Sequence, residues 1–311
     1  MRNFEKHLQI AAANLNGYEP LFFTPKQLFY EFCRARFSPI SIEPKIGAAL
    51  LGLSAIPAVI FAKKSPKKGL GFLAASVAFI GTLTAFGRIP HTLRTPFRWR
   101  DFESNLTNYL GNKNIEGLLQ IKQTTNFNDS VPSDLTLYAL PKLLICESDE
   151  IAQMLRANRF HLQTPCAVLS LDQASPLGEM YRKMLLNAEE PKVFYLHDAG
   201  LQSFSRLSNL RKITNLGSEI PLQLIGLRPV HAKRLHLFAS KKDVTLQNFD
   251  LSNFNHLTDT EKRWLNDGNT AEVSAISPVR LLRVLRRIIS GFEPPPSSFQ
   301  NILPQKDLGF M

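Results

Sequence analysis

Residues 141–240 are patterned as short, uninterrupted apolar runs, each followed by apolar positions at helical spacing. Residues 142–146 (KLLIC) run into Glu147, residues 166–171 (CAVLSL) into Asp172, and residues 192–197 (KVFYLH) into Asp198. A fourth run, residues 222–227 (LQLIGL), precedes Pro229, a favoured first-turn residue of a helix. The length and the β-branched or aromatic content of the first three runs predict fully buried strands. Between them, Ile151, Met154 and Leu155, then Leu177, Met180, Tyr181, Met184 and Leu185, then Leu201, Phe204, Leu207 and Leu210 mark amphipathic helices. Strand and helix alternating at this spacing predict an α/β fold of right-handed parallel units with helices covering the sheet. Ligands of such sheets bind at the carboxyl ends of the strands. Glu147, Asp172 and Asp198 all stand there, which makes them the candidate site.

Outside this region the pattern changes. Residues 1–45 read as two helical pieces, the second opening at Thr24-Pro25, an N-cap and a first-turn proline. On its pattern Tyr30 lies beside the apolar face made by Leu28, Phe29, Phe32 and Cys33. Residues 46–62 and 69–87 contain no charged residue and are separated by KKSPKK. Their length approaches what crosses a hydrocarbon core of about 30 Å, and their glycines suit helix packing in lipid. The expectation is a two-helix transmembrane hairpin over 46–87. The arginines and the lysine of its flanks outnumber the four loop lysines, which places both termini in the cytoplasm.

Residues 88–135 form a helical region and a polar linker, and 136–240 the α/β domain. Residues 241–292 extend it with two helices. One opens at the capping box of Thr258 and Glu261, the other at Ser277-Pro278. The second carries Arg280, Arg283, Arg286 and Arg287 opposite its apolar stripe, a candidate face for phosphates or lipid headgroups. Residues 293–311 read as a flexible tail.

Composition narrows the field modestly. An apolar fraction of 44% over 311 residues excludes a wholly disordered chain. Cys33, Cys146 and Cys166 have no metal-ligand spacing and read as reduced packing residues. His161, His197, His231 and His236 show no such spacing either, and read as surface or core-edge residues. Of the net charge of +11, four charges are the loop lysines Lys63, Lys64, Lys67 and Lys68, and the rest is spread along the chain. No strongly basic block therefore dictates the partner.

The strings ESDEIAQMLRANRF, VFYLHDAG and IGLRP together resemble the Toprim domain of the DNA-cleaving half of topoisomerase VI and of the meiotic double-strand-break transesterases. In that family a Glu ends the first strand, an Asp-x-Asp ends the third, and together they hold Mg²⁺. The resemblance places Glu147 at the Glu and Asp198 at the first Asp. Asp172, which the resemblance does not match, is a candidate third oxygen donor by its place on the same rim. The second Asp falls on Gly200. The family also carries a nucleophilic tyrosine in a winged-helix domain, and TPKQLFYEF is similar to its motif, with Tyr30 at the nucleophile and Lys26 near the usual Arg. The resemblance implies a Toprim-like sheet of about four strands, a partial winged-helix-like N-terminal region and Mg²⁺ as cofactor.

The expected function is that of a membrane-anchored, degenerate Toprim-like protein binding nucleic acid or a phosphorylated ligand without efficient DNA cleavage. A Mg²⁺-dependent nuclease or transesterase and a non-catalytic membrane scaffold are the alternatives. The expected partners are a membrane, nucleic acid, and a second copy or another protein.

Overall fold

The computed structural model describes residues 2–16, 20–36, 93–111, 113–120, 141–241 and 249–291. The described residues all belong to one compact unit. Its centre is a four-stranded, all-parallel sheet of β2 (Lys142–Cys146), β3 (Cys166–Ser170), β4 (Lys192–Leu196) and β5 (Leu222–Leu224), in the order β3-β2-β4-β5. The runs predicted from the sequence are these strands, each ending within three residues of its expected limit. In β2, β3 and β4 nearly every residue is buried, because helices cover the sheet. Register is in step across the centre: Cys146 lies opposite both Ser170 and Leu196.

The covering helices are α4 (Asp149–Ala157), α5 (Phe160–Gln163), α6 (Glu179–Leu186), α7 (Leu201–Ser208) and α8 (Leu210–Thr214). The chain leaves β2 toward β3 on one side, then returns past β2 to lay β4 on the other. Between β2 and β4 the direction of winding switches, so the loops leaving their carboxyl ends diverge and open a crevice.

Against this sheet pack an N-terminal helical group, α1 (Arg2–Asn16), α2 (Pro25–Arg36) and α3 (Trp99–Leu110), and a C-terminal group, α9 (Pro229–Arg234), α10 (Asp259–Asn266) and α11 (Pro278–Ser290). Phe4, Phe29, Phe32, Trp99 and Phe102 join the first three helices through ring contacts with centroids 5.0–5.9 Å apart. Two minor strands, β1 (Leu93–Arg94) and β7 (Asn269–Thr270), flank β6 (Phe238–Lys241) in a small mixed sheet.

The predicted helix starts are realised, at Pro25, Pro229, Asp259 and Pro278, and those at Pro25 and Asp259 carry side-chain caps. The Thr24 hydroxyl accepts from Gln27 N–H at 3.0 Å while Gln27 reaches back to Thr24 N–H, and Thr258 and Glu261 form the same reciprocal pair. Cys33, Cys146 and Cys166 are buried and reduced, as expected.

The membrane expectation is corrected. Among the described residues no helix is long and apolar enough to cross a membrane. The longest, α1, has 15 residues, against the roughly 20 that a bilayer core requires. The two-pass localisation with cytoplasmic termini and the membrane assignment therefore do not stand. The hairpin expected over 46–87 lies outside the described residues, as does the tail expected over 293–311.

Candidate functional site

Glu147 follows β2 and Asp198 follows β4, so adjacent parallel strands deliver both to the crevice. They meet directly: the Asp198 backbone N–H donates to Glu147 Oε2 at 3.0 Å. Glu147 Oε1 accepts from Ser203 Oγ at 2.9 Å and from Arg206 Nη1 at 3.0 Å. Ser203 and Arg206 sit three apart on α7 and so share the face turned to the crevice. The Glu147 side chain is 7% exposed, and donors of its own chain satisfy both its oxygens.

Asp198 is held from a second direction. Ala199 and Ala271 exchange both backbone hydrogen bonds at 2.9 Å, and Val273 N–H donates to Asp198 Oδ1 at 2.6 Å. This short bridge brings in the segment that carries Glu272. The segment is tied in turn to α2: Gln27 Nε2 donates to the Ile276 carbonyl, Arg34 bonds the Ala275 carbonyl, and Lys26 Nζ lies 3.4 Å from Glu272 Oε2. Tyr30, one turn beyond Lys26, lies within electrostatic reach of Glu272 and Asp198.

The result is a cleft of about 250 Å³ lined by Lys26, Glu147, Asp198, Ser203, Arg206 and Glu272, with Ser148, Gly200, Gln202 and Thr270 completing the wall. Electrostatics follow from burial and from these neighbours. Burial disfavours a charge on Lys26, but Glu272, Glu150 and Asp198 outweigh it and raise its pKa. Burial, then Glu272 and Asp198, push the Tyr30 phenol well above its ordinary value. Burial likewise raises the Glu150 carboxyl, against the pull of Lys26.

Of the residues expected from sequence, Glu147 and Asp198 are brought together, and Tyr30 lies within electrostatic reach of Asp198 without lining the cleft. Tyr30 is 6% exposed and its ring stacks on Phe238. Asp172 is exposed beyond β3 and takes no part in lining the cleft. The arginines of α11 lie apart from the crevice wall: Arg283 is exposed, and Arg280, Arg286 and Arg287 are half-buried. The pKa of Arg280 is lowered by burial and by the nearby positive charges of Arg34 and Arg283. His197 and His231, expected at the surface or core edge, are buried. Burial lowers the pKa of both, and His231 stands at about 4.

Sequence reasoning missed Arg206 and Glu272. The spacing of Ser203 and Arg206 after Asp198 was a usable sign. Nothing local marked Glu272, which reaches the cleft through the Ala199–Ala271 bridge. Gly200, where the Toprim pattern has its second Asp, backs onto Thr270 so closely that a Cβ there would stand 2.9 Å from Thr270 Cγ2.

The Mg²⁺ implied by the Toprim resemblance does not fit this donor set. Among the described residues no group of three or more His, Cys, Asp or Glu side chains is arranged to hold a metal ion. The oxygens of Glu147 are already taken, and Lys26 and Arg206 supply positive charge from within. No family model matches the chain, and no curated protein matches it significantly. What fold and site together define is an α/β protein with a parallel four-stranded sheet and a polar cleft at its switch point.

Proposed function

We propose that the chain is a degenerate Toprim-like protein that binds nucleic acid through phosphate contacts and does not cut it. One observation carries the reading: Tyr30 is buried, with Glu272 and Asp198 within electrostatic reach, and both oxygens of Glu147 are engaged by the chain's own donors. A tyrosine attacks phosphorus only when its oxygen reaches the phosphate and sheds its proton, and a raised pKa opposes that loss. Phosphate contact falls to the arginines. Arg34 of α2 and Arg280 and Arg283 of α11 lie within electrostatic reach of one another, and such a cluster is relieved when a polyanion approaches.

A second reading draws on the same cleft. Tyr30 stands within electrostatic reach of two carboxylates, Asp198 and Glu272, either of which is a candidate to take its proton. That arrangement favours a transesterase in which nucleic acid must first expose the phenol.

Two assays decide. In gel-shift titrations at low salt, the wild type retards duplex DNA, and Arg280→Gln/Arg283→Gln weakens binding and flattens its salt dependence. Supercoiled plasmid with MgCl₂ stays intact with wild type and with Tyr30→Phe alike. Nicking that disappears in Tyr30→Phe would establish the second reading, and absence of any DNA retardation would remove the binding reading.

A further inference from the structure

Three carboxylates enter the cleft from three separate segments: Glu147 after β2, Asp198 after β4, and Glu272 after β7. Glu150, in the first turn of α4, lies within electrostatic reach of Lys26 and Glu272 and keeps a buried Oε2 without a hydrogen-bond partner. Carboxylates gathered like this in a recess repel one another and require a compensating cation. The chain supplies two. Arg206 contacts Glu147 at 3.0 Å, and Lys26 contacts Glu272 at 3.4 Å while within electrostatic reach of Glu150 and Asp198.

We infer that Lys26, with Arg206 beside it, is the built-in cation of this cleft and occupies the place a divalent metal ion would take, so that the wild-type chain takes up no Mg²⁺ there. Three structural features support this. Lys26 sits in the first turn of α2, which the Thr24–Gln27 capping box and the Gln27–Ile276 hydrogen bond hold in place. The ammonium is thus tethered among the carboxylates, whereas a divalent ion would have to shed tightly held water and displace it. Next, Lys26 and Tyr30 stand four apart on one helix face, and Glu272, 3.4 Å from Lys26, is within electrostatic reach of both. The ammonium is thereby held on the side of the helix that meets the carboxylates. Lastly, position 200, where a further carboxylate would complete a metal set, is closed by Thr270.

Metal uptake reads the cleft alone, whether or not DNA binds. The full chain is titrated with Mn²⁺ while free aquo-Mn²⁺ is followed by electron paramagnetic resonance. The wild type leaves the free-ion signal undiminished. Lys26→Gln removes the cation, keeps much of the side-chain volume, and binds Mn²⁺ about tenfold or more tightly than wild type. Adding Asp198→Asn abolishes that gain. Lys26→Arg keeps the charge, folds where the neutral variant fails to, and takes up no more Mn²⁺ than wild type. Uptake by wild type that Asp198→Asn removes overturns the inference, as does uptake by Lys26→Arg or a folded Lys26→Gln that binds no better than wild type.

Discussion

Gly200→Ala tests the packing that shapes the cleft. The glycine has φ −155° and ψ 152°, extended backbone that any residue adopts, so its replacement carries no conformational penalty. The penalty is contact. A Cβ at 200 would stand 2.9 Å from Thr270 Cγ2, 3.0 Å from its Oγ1 and 3.5 Å from its Cβ, whereas carbon atoms rest at about 3.5–4.0 Å. Thr270 is 8% exposed, and its branched side chain is stiff, so neither near atom yields easily. Overpacking of this kind costs about 1–3 kcal/mol. Thr270→Ala alone loses one buried methyl and a hydroxyl, for about 1 kcal/mol.

Together the two substitutions remove both short contacts and leave the one at 3.5 Å, which is ordinary van der Waals separation. The double variant is therefore more stable than the sum of the single losses implies, by about 1–2 kcal/mol. Urea unfolding at neutral pH, followed by tryptophan fluorescence and far-ultraviolet circular dichroism, reads all four proteins. Strict additivity would refute the argument that Thr270 closes position 200. It would equally remove the explanation for why the aspartate of the Toprim pattern has no room here.

Gly226→Ala is more damaging, because its Cβ would come within 2.1 Å of the buried His197 ring; thermal unfolding should register a loss of about 3 kcal/mol or more. Arg228→Met strands Glu261, whose side chain is 4% exposed and accepts from Arg228 Nη2 at 2.7 Å, for a cost of about 3 kcal/mol in urea unfolding; Glu261→Gln in the same background recovers part of it. Acid should weaken the fold through His231, whose pKa is held at about 4 by burial and by Arg228, against the opposing pull of Glu261. A histidine depressed below its ordinary value binds its proton first in the unfolded chain, so this contribution is full above about pH 6.5 and is lost as pH falls toward 4. The loss is about 3 kcal/mol. His231→Gln flattens the pH profile of unfolding over that window, and an unchanged slope contradicts the assignment.

Strands β2, β3 and β4 were legible along the chain because each is a continuous apolar run, as burial on both faces demands. By contrast β5, with Gln223 exposed, is the half-covered edge. The caps at Thr24 and Thr258 were legible for a related reason: a helix start is a contract among four consecutive residues. The convergence of Glu147 and Asp198 also followed from pattern, since parallel neighbours end at the same edge. The arrival of Tyr30 beside Asp198 did not, because nothing local in TPKQLFYEF says which loop α2 will meet.

The remainder belongs to contacts between residues far apart in the chain. Val273 bonds Asp198 across a separation of 75 residues, carrying Glu272 with it, and α2 reaches that segment by way of Gln27, Arg34 and Lys26. Local periodicity records what a residue's own element buries, and so it fixes strands, caps and faces. Which carboxylate receives which cation, and whether a phenol is covered, depend on long-range packing that no short window of residues encodes. Hence the acid rim could be read from the chain, while its internal neutralisation emerged with the fold.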